Sequence, residues 1–216
     1  MIRYIVCLIV GYFMGTIPTG YLIGKKLKHI DIRNYGSGNT GTTNALRTMG
    51  AKDGGLTLLG DMGKCILAIL LMRYIYRNEP IEPMMISLTT GLGVILGHDY
   101  PCWLHFKGGK GIAATGGIYF FMGWKTFAVG VVGFFLPLSI TRYVSLSSLI
   151  VSTILPVSVI VSRHSDPEFV PMLVISLLIM ALAYYQHRAN IVRLLNGTER
   201  KLGEKVEVKP EDTSHS

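Results

Sequence analysis

Charge is scarce in this chain. Only 16% of its 216 residues are Asp, Glu, Lys or Arg, against about a quarter in an average soluble domain. Half are hydrophobic and the mean hydropathy is +0.42, which argues for an integral membrane protein. Acidic residues are the scarcer sign, 13 against 21 basic, for a formal net charge of +8. In a soluble protein that excess points to nucleic acid. Here basic loops on one membrane face account for it, so no nucleic-acid partner is expected. The three cysteines, Cys7, Cys65 and Cys102, are an odd number without a C-x-x-C pair. That argues against a disulfide framework and a metal site, and the cysteines read as small buried hydrophobes.

Several catalytic signatures are also missing. Lys110 is followed by Gly111, so no G-x-x-x-x-G-K-[ST] nucleotide loop is present. No histidine precedes an aspartate by five residues, which removes the H-x-x-x-x-D acyltransferase signature. Neither G-x-S-x-G nor H-E-x-x-H occurs. A covalent, metal-dependent or cofactor-dependent mechanism is therefore unsupported, and no cofactor is expected. What is left is a site that positions a substrate already carrying a good leaving group.

Seven apolar runs are present: 1–24, 56–76, 84–96, 112–124, 126–140, 145–161 and 169–185. A span needs about 20 residues, so the short runs are expected to be tilted or partial. The first has only Arg3 as a positive n-region and no A-x-A site, so it reads as a mature helix. Its Gly11, Gly15 and Gly20 permit close helix packing. Asp61 and Lys64, three apart, are placed to pair on one helix face. The expected fold is all-α, with about seven transmembrane helices in one domain over 1–203 and a polar, disordered tail over 204–216. Seven crossings leave all but five of the 21 Lys and Arg on one side, the exceptions being Arg3, Arg73, Arg77, Lys125 and Arg163. That predicts the N-terminus outside and the C-terminus in the cytoplasm.

The polar stretches then collect on the cytoplasmic face in four clusters. In 36–47, Gly36, Gly38 and Gly41 alternate with Ser37, Asn39, Thr43 and Asn44 and lead to Arg47. The glycines let backbone approach a ligand, the short side chains supply donors, and arginine grips phosphate with a planar fork. The stretch 97–111, GHDYPCWLHFKGGKG, places His98, Lys107 and Lys110 beside the backbone of Gly108 and Gly109, a composition suited to an anion nest. Ser145 and Ser148 share a helix face. In 187–199, His187, Asn190 and Arg193 recur every three residues as one polar stripe. The carboxamides can orient hydroxyls, and the imidazoles of His98 and His187 can move protons.

These residues resemble a known family, the bacterial acyl-phosphate-dependent glycerol-3-phosphate acyltransferases of the PlsY type. GSGNTGTTNALR is similar to that family's first motif, GHDYPCWLHFKGGKG to its second and HRANIVRLLNGTE to its third; RYVSLSS is similar to its serine segment. Thr40 and Thr42 depart from the apolar or smaller residues often found there. The resemblance implies a seven-helix enzyme of the bacterial inner membrane with its site on the cytoplasmic side. It would transfer an acyl group from acyl phosphate to the 1-hydroxyl of glycerol-3-phosphate. The products would be lysophosphatidic acid and phosphate, the first step of phospholipid synthesis, without a covalent acyl-enzyme. Carried over residue by residue, Ser37, Arg47, Lys107 and Ser145 would hold phosphate. His187 and Asn190 would contact and orient glycerol-3-phosphate. The backbones of Gly36–Gly41 and Gly108–Gly111 would cradle phosphate oxygens, and His98 and Lys110 belong to the second motif. The implied partners are acyl phosphate, glycerol-3-phosphate and the lipid bilayer. The hydroxyl proton goes either to the phosphate of glycerol-3-phosphate or to His187.

Overall fold

The computed structural model describes residues 1–204; the expected tail therefore lies, beyond Glu204, outside the described residues. Every regular element among them is helical: α1 (Ile2–Gly15), α2 (Thr19–Ile23), α3 (Thr42–Met49), α4 (Ala51–Ile75), α5 (Pro83–Asp99), α6 (Ile112–Phe121), α7 (Trp124–Thr141), α8 (Val144–Arg163), α9 (Phe169–Gln186) and α10 (Arg188–Leu195). Short turns at Gly24–Lys28, Ile32–Asn34 and Cys102–Leu104 complete the order.

Each of the seven apolar runs is helical, with altered bounds. Five helical stretches are long and apolar enough to cross a membrane: Ile2–Lys28, Ala51–Ile75, Trp124–Thr141, Val144–Arg163 and Phe169–Gln186. α5 has 17 residues and α6 only 10, roughly 25 and 15 Å at 1.5 Å per residue. The first stretch is interrupted at Thr16–Pro18 because Pro18 offers no amide hydrogen. α4 starts five residues earlier than its apolar run: Gly54 packs on Leu46, where a Cβ would stand 2.8 Å from the Leu46 Cα, closing a tight hairpin with α3.

α5 is the centre of the protein. Its two ends and nearly all its faces are buried, including His98 and Asp99. α1 lies on it backbone to backbone. A Cβ on Gly11 or Gly15 would come within 2.3 and 2.2 Å of the Thr90 and Val94 carbonyl oxygens. One on Gly93 or Gly97 would meet the Leu8 and Tyr12 carbonyls at 2.3 and 2.0 Å. Both pairs have the four-residue spacing that lets helices approach in lipid. α4 and α6 cover a second side of α5, and the apolar core runs through Cys65, Ile69, Leu88, Ile95, Ile118 and Leu155. α7 is peripheral, with Val129, Val132, Phe135, Leu136 and Ile140 exposed along it.

Candidate functional site

A cavity of about 840 Å³ lies where four helices begin. Its walls include Thr42, Thr43 and Asn44 of α3, Ile112 and Ala113 of α6, Val144 and Ser145 of α8, and Arg188, Ala189 and Asn190 of α10. The first turn of a helix carries unpaired N–H groups and the positive end of its dipole. Four such starts around one space favour an anion.

The loop before α3 is shaped by Asn44. Its Nδ2 donates to the carbonyls of Ile32 (3.1 Å), Tyr35 (3.0 Å) and Asn39 (2.9 Å), and its Oδ1 accepts from the Ser37 amide at 2.9 Å. Gly36 and Gly38 take positive φ of 64° and 69° to make the reversal. A Cβ on Gly36 would collide with Asn44 Oδ1 at 2.2 Å, so the turn requires glycine. Asn39 Oδ1 accepts from the Gly41 amide at 2.8 Å. Ser37 and Gly41 are thereby fixed in the cavity wall.

A linked set of charges occupies the polar end. Lys110 donates to Asn190 Oδ1, and Asn190 Nδ2 donates to Glu199 Oε1 at 2.7 Å. Glu199 also accepts from Ser145 Oγ (3.0 Å) and Arg193 Nε (2.7 Å). It is buried, and these hydrogen bonds hold its carboxyl below the usual carboxylate range against the desolvation that pushes it up. Burial, aided by Arg193, pushes the Lys110 ammonium down to about 8. Burial likewise lowers Arg47, whose guanidinium donates to the Arg200 carbonyl at 3.1 Å while its Nε–H is buried without a protein partner. The cations Lys110, Arg47 and Arg193 thus outnumber Glu199, and one donor is unused.

The two histidines hold opposite tautomers. His187 Nδ1 lies 2.8 Å from the Ala183 carbonyl, which can only accept, so Nδ1 carries the proton and Nε2 keeps a lone pair. Burial, with Lys110 adding to it, lowers this imidazole to about 4. His98 Nδ1 lies 3.0 Å from Lys64 Nζ, an obligate donor, so it accepts and the proton sits on Nε2. Lys64 also donates to the Ile17 carbonyl (2.7 Å) and forms an ion pair with Asp61 (2.9 Å), the expected pair on α4.

The sequence-predicted residues divide. Ser37, Asn39, Gly41, Thr43, Asn44, Arg47, His98, Lys110, Ser145, His187 and Asn190 line the cavity; Gly38, Lys107, Gly108 and Gly109 do not. Lys107 is exposed. The amides expected to form a nest are already used, Gly108 N–H on the Asp99 carbonyl (3.1 Å) and Gly109 N–H on that of His98 (2.9 Å). These glycines make room instead: a Cβ on Gly109 would overlap the His98 ring at 1.7 Å. Among the lining residues that sequence reasoning did not name as site members are Arg193 and Glu199. The three-residue stripe pointed to Arg193. Glu199 lies past the turn at Gly197 (φ 68°), outside any helical periodicity.

Away from the charges the cavity becomes an apolar groove along Gly116, Tyr119, Phe127, Val131, Phe134 and Val151. Val131 and Phe135 of α7 line it and are 38% and 56% exposed respectively. One cavity therefore joins a cationic head to an oily arm bordered by a membrane-facing helix.

The chain is similar to known glycerol-3-phosphate acyltransferases. The glycerol-3-phosphate acyltransferase family model matches residues 5–197. The chain is 38% identical over 204 residues to a glycerol-3-phosphate acyltransferase of Clostridioides difficile, covering 94% of this chain and 98% of that protein. It is 42% identical over 194 residues to the enzyme of that name from Thermotoga petrophila, covering 90% and 94%. A crystal structure of PlsY (YgiH), an integral membrane glycerol 3-phosphate acyltransferase in its glycerol 3-phosphate form, superposes with a TM-score of 0.80 at 34% identity, over 93% of this chain and 96% of that one. Its lysophosphatidic acid form gives 0.78 at 33%. From its helical architecture, its membrane-length apolar helices and these relatives, the chain belongs to the glycerol-3-phosphate acyltransferase family of integral membrane proteins.

Proposed function

We propose that this chain transfers an acyl group from acyl phosphate to the 1-hydroxyl of glycerol-3-phosphate, releasing lysophosphatidic acid and inorganic phosphate. The observation that carries the reading is the single cavity with a cationic, helix-capped head and an apolar arm. A polyanionic acceptor fits the head, and a fatty acyl chain ending in a phosphate fits arm and head together. The solved relatives named above are described as binding glycerol 3-phosphate and lysophosphatidic acid, one fully polar and one amphiphilic ligand.

In this reading Arg47, Lys110, Arg193, Ser37 and Ser145 bind the two phosphates, with the amides of α3, α6, α8 and α10 behind them. The lone pair of His187 Nε2 accepts the hydrogen bond of the attacking hydroxyl. Asn190, fixed between Lys110 and Glu199, orients the acceptor beside it. Thr43, Asn39, Gly41 and His98 complete the polar wall, with His98 offering an Nε2–H. Asn44, Gly108 and Gly109 shape the wall without touching substrate. Lys107 contributes only to attraction at the entrance.

The hydroxyl oxygen attacks the acyl carbonyl carbon, the new ester bond forms, and the bond to phosphate breaks with its electrons leaving on phosphate. A phosphate monoester has a second pKa of about 6. In this reading the acceptor's own phosphate takes the hydroxyl proton, and His187, whose imidazole burial lowers to about 4, only orients the hydroxyl through its Nε2 lone pair. No acyl-enzyme is needed, because a mixed anhydride already carries its leaving group.

The enzyme reads as spanning the bacterial inner membrane seven times, with α5 and the short α6 as the third and fourth crossings and the head of the cavity on the cytoplasmic side. The basic residues around the four helix starts support that orientation. Both tryptophans, Trp103 and Trp124, are exposed at helix ends, 64% and 77%, as interfacial aromatics are. Purified protein given palmitoyl phosphate and glycerol-3-phosphate should release inorganic phosphate in step with lysophosphatidic acid. Equal release without acceptor would overturn the transfer reading, and activity with acyl-CoA alone would overturn the donor.

A further inference from the structure

One buried pair of charges has no part in the chemistry proposed above. Asp61 and Lys64 lie three apart on one face of α4 and are 0% and 6% exposed. Ionisable side chains inside a membrane protein are costly and point to function. A buried ion pair is often replaced by neutral groups without loss of stability, so stability alone does not account for it. What the pair touches does. At the break in α1 the Ile17 carbonyl accepts from Lys64 Nζ at 2.7 Å, Asp61 pairs with it at 2.9 Å, and His98 Nδ1 stands 3.0 Å away. Asp61 is farther from that ring nitrogen, 3.5 Å. An ammonium has no lone pair, so a proton on Nδ1 would point at another proton. The His98 carbonyl accepts the Gly109 N–H at 2.9 Å, and Nε2 lies against Gly109, the residue before Lys110. His98 lines the cavity, whereas Lys64 does not. With Nδ1 taken, Nε2–H is the one polar group the ring has left to offer there.

We infer that Lys64, balanced by Asp61, is a positioning residue for the reaction: it locks the ring and tautomer of His98 so that Nε2–H donates to a substrate phosphate oxygen. This rests on the reading of the polar head as the phosphate site. Lys64 touches no substrate and acts only through the imidazole. Its charge is spent on Asp61, so the pair adds nothing to the cations of the head. What reaches the cavity is a neutral donor of fixed direction, which an oxyanion accepts and a lone pair at the same place would repel. The break at Thr16–Pro18 belongs to the same device, because it brings the Ile17 carbonyl to the ammonium.

The test starts with the unaltered, full-length protein labelled with nitrogen-15 in its histidines, the His98 signals being those lost in His98→Ala. At neutral pH, NMR should find Nδ1 bare and Nε2 protonated. Glycerol-3-phosphate or palmitoyl phosphate should shift the Nε2 signal, and which of them does so tells whose phosphate is bound. A proton on Nδ1, or no shift with either ligand, overturns the inference. These readouts need no turnover, so they judge it even where the acyl-transfer reading fails. Kinetics supplies the second arm. Asp61→Asn/Lys64→Met strands no charge and should lower kcat/KM for glycerol-3-phosphate by about tenfold or more, the worth of one hydrogen bond to a charged group. His98→Ala should lose at least as much. Added to His98→Ala, the paired substitution should cost no more than about twofold further, because the three residues act as one unit. Losses that multiply, or a paired variant within about threefold of the unaltered enzyme, would show that the pair does not work through His98. Where the paired variant fails to fold, the NMR arm still decides.

Discussion

Asn190 donates to Glu199 at 2.7 Å through one end of its carboxamide and accepts from Lys110 at the other. A neutral side chain thus separates a half-buried ammonium from a buried carboxylate and fixes both. Glu199 further gathers Ser145 and Arg193, so its removal strands three donors. Glu199→Ala should cost about 3 kcal/mol of stability, near the upper range for a buried charged partner. Thermal unfolding in detergent checks it, and an unchanged midpoint would show that the bridge carries no stability.

The two lysines of the Lys107–Lys110 stretch make opposite predictions. Lys110 lines the cavity and bonds Asn190, whereas Lys107 is exposed outside it. Lys110→Ala should lower kcat/KM for glycerol-3-phosphate by at least about a hundredfold, and Lys107→Ala by no more than about threefold. Steady-state kinetics of the pair decides. A larger loss at Lys107 would place the phosphate outside this cavity.

A pH effect follows from the same lysine. Burial lowers Lys110 to about 8, so it is an ammonium below that pH and neutral above it. Phosphate affinity should hold up to about pH 8 and then fall, with KM for glycerol-3-phosphate about tenfold higher for each further unit. In Lys110→Arg the cation persists, and the rise should disappear. A wild-type KM that stays flat to about pH 9.5 would contradict the assignment.

His187 should behave as an acceptor of a hydrogen bond and not as the base. Its imidazole is held near 4, and an NMR titration of the free enzyme should find it neutral throughout pH 5 to about 8. His187→Gln, whose amide oxygen can replace the lone pair, should keep saturated turnover within about tenfold while KM rises. A loss of three or more orders of magnitude in kcat would restore the histidine as general base.

The α1–α5 seam gives a stability prediction remote from the chemistry. Gly97→Ala puts a methyl 2.0 Å from the Tyr12 carbonyl, which the backbone has to relieve by moving apart, at about 3 kcal/mol. Gly63→Ala, where a Cβ meets nothing within 4 Å, should leave the unfolding midpoint unchanged. Equal effects at the two sites would mean that the helices are not in backbone contact.

The helices and the gathering of polar clusters were legible in sequence because membrane helices advertise themselves by length and hydropathy. So was the Asp61–Lys64 pair, from three-residue spacing. The role of the Lys107–Lys110 stretch was not. Which of two lysines enters a cavity, and whether Gly108 and Gly109 offer their amides to a ligand or to the end of α5, depends on how the loop folds back on His98. Gly-rich composition fits both outcomes. Asn44 shows the same ambiguity: it lines the cavity and its carboxamide holds the loop, and a carboxamide that shapes a loop and one that binds substrate have the same letter. Glu199 gave no periodic signal, although a carboxylate amid so many cations was the natural counter-charge to seek.

The outer wall of the groove is thin. Val131 and Phe135 line the groove and are 38% and 56% exposed, on the helix that is the most exposed of the membrane-length ones. Under the proposed function, the fatty substrate enters and its product leaves within the plane of the leaflet, without crossing water. Its effective concentration is then a mole fraction of the bilayer and not a molarity. Adding inert lipid or detergent at constant total donor should slow the enzyme by dilution in two dimensions, whereas glycerol-3-phosphate, arriving from water, obeys ordinary molarity.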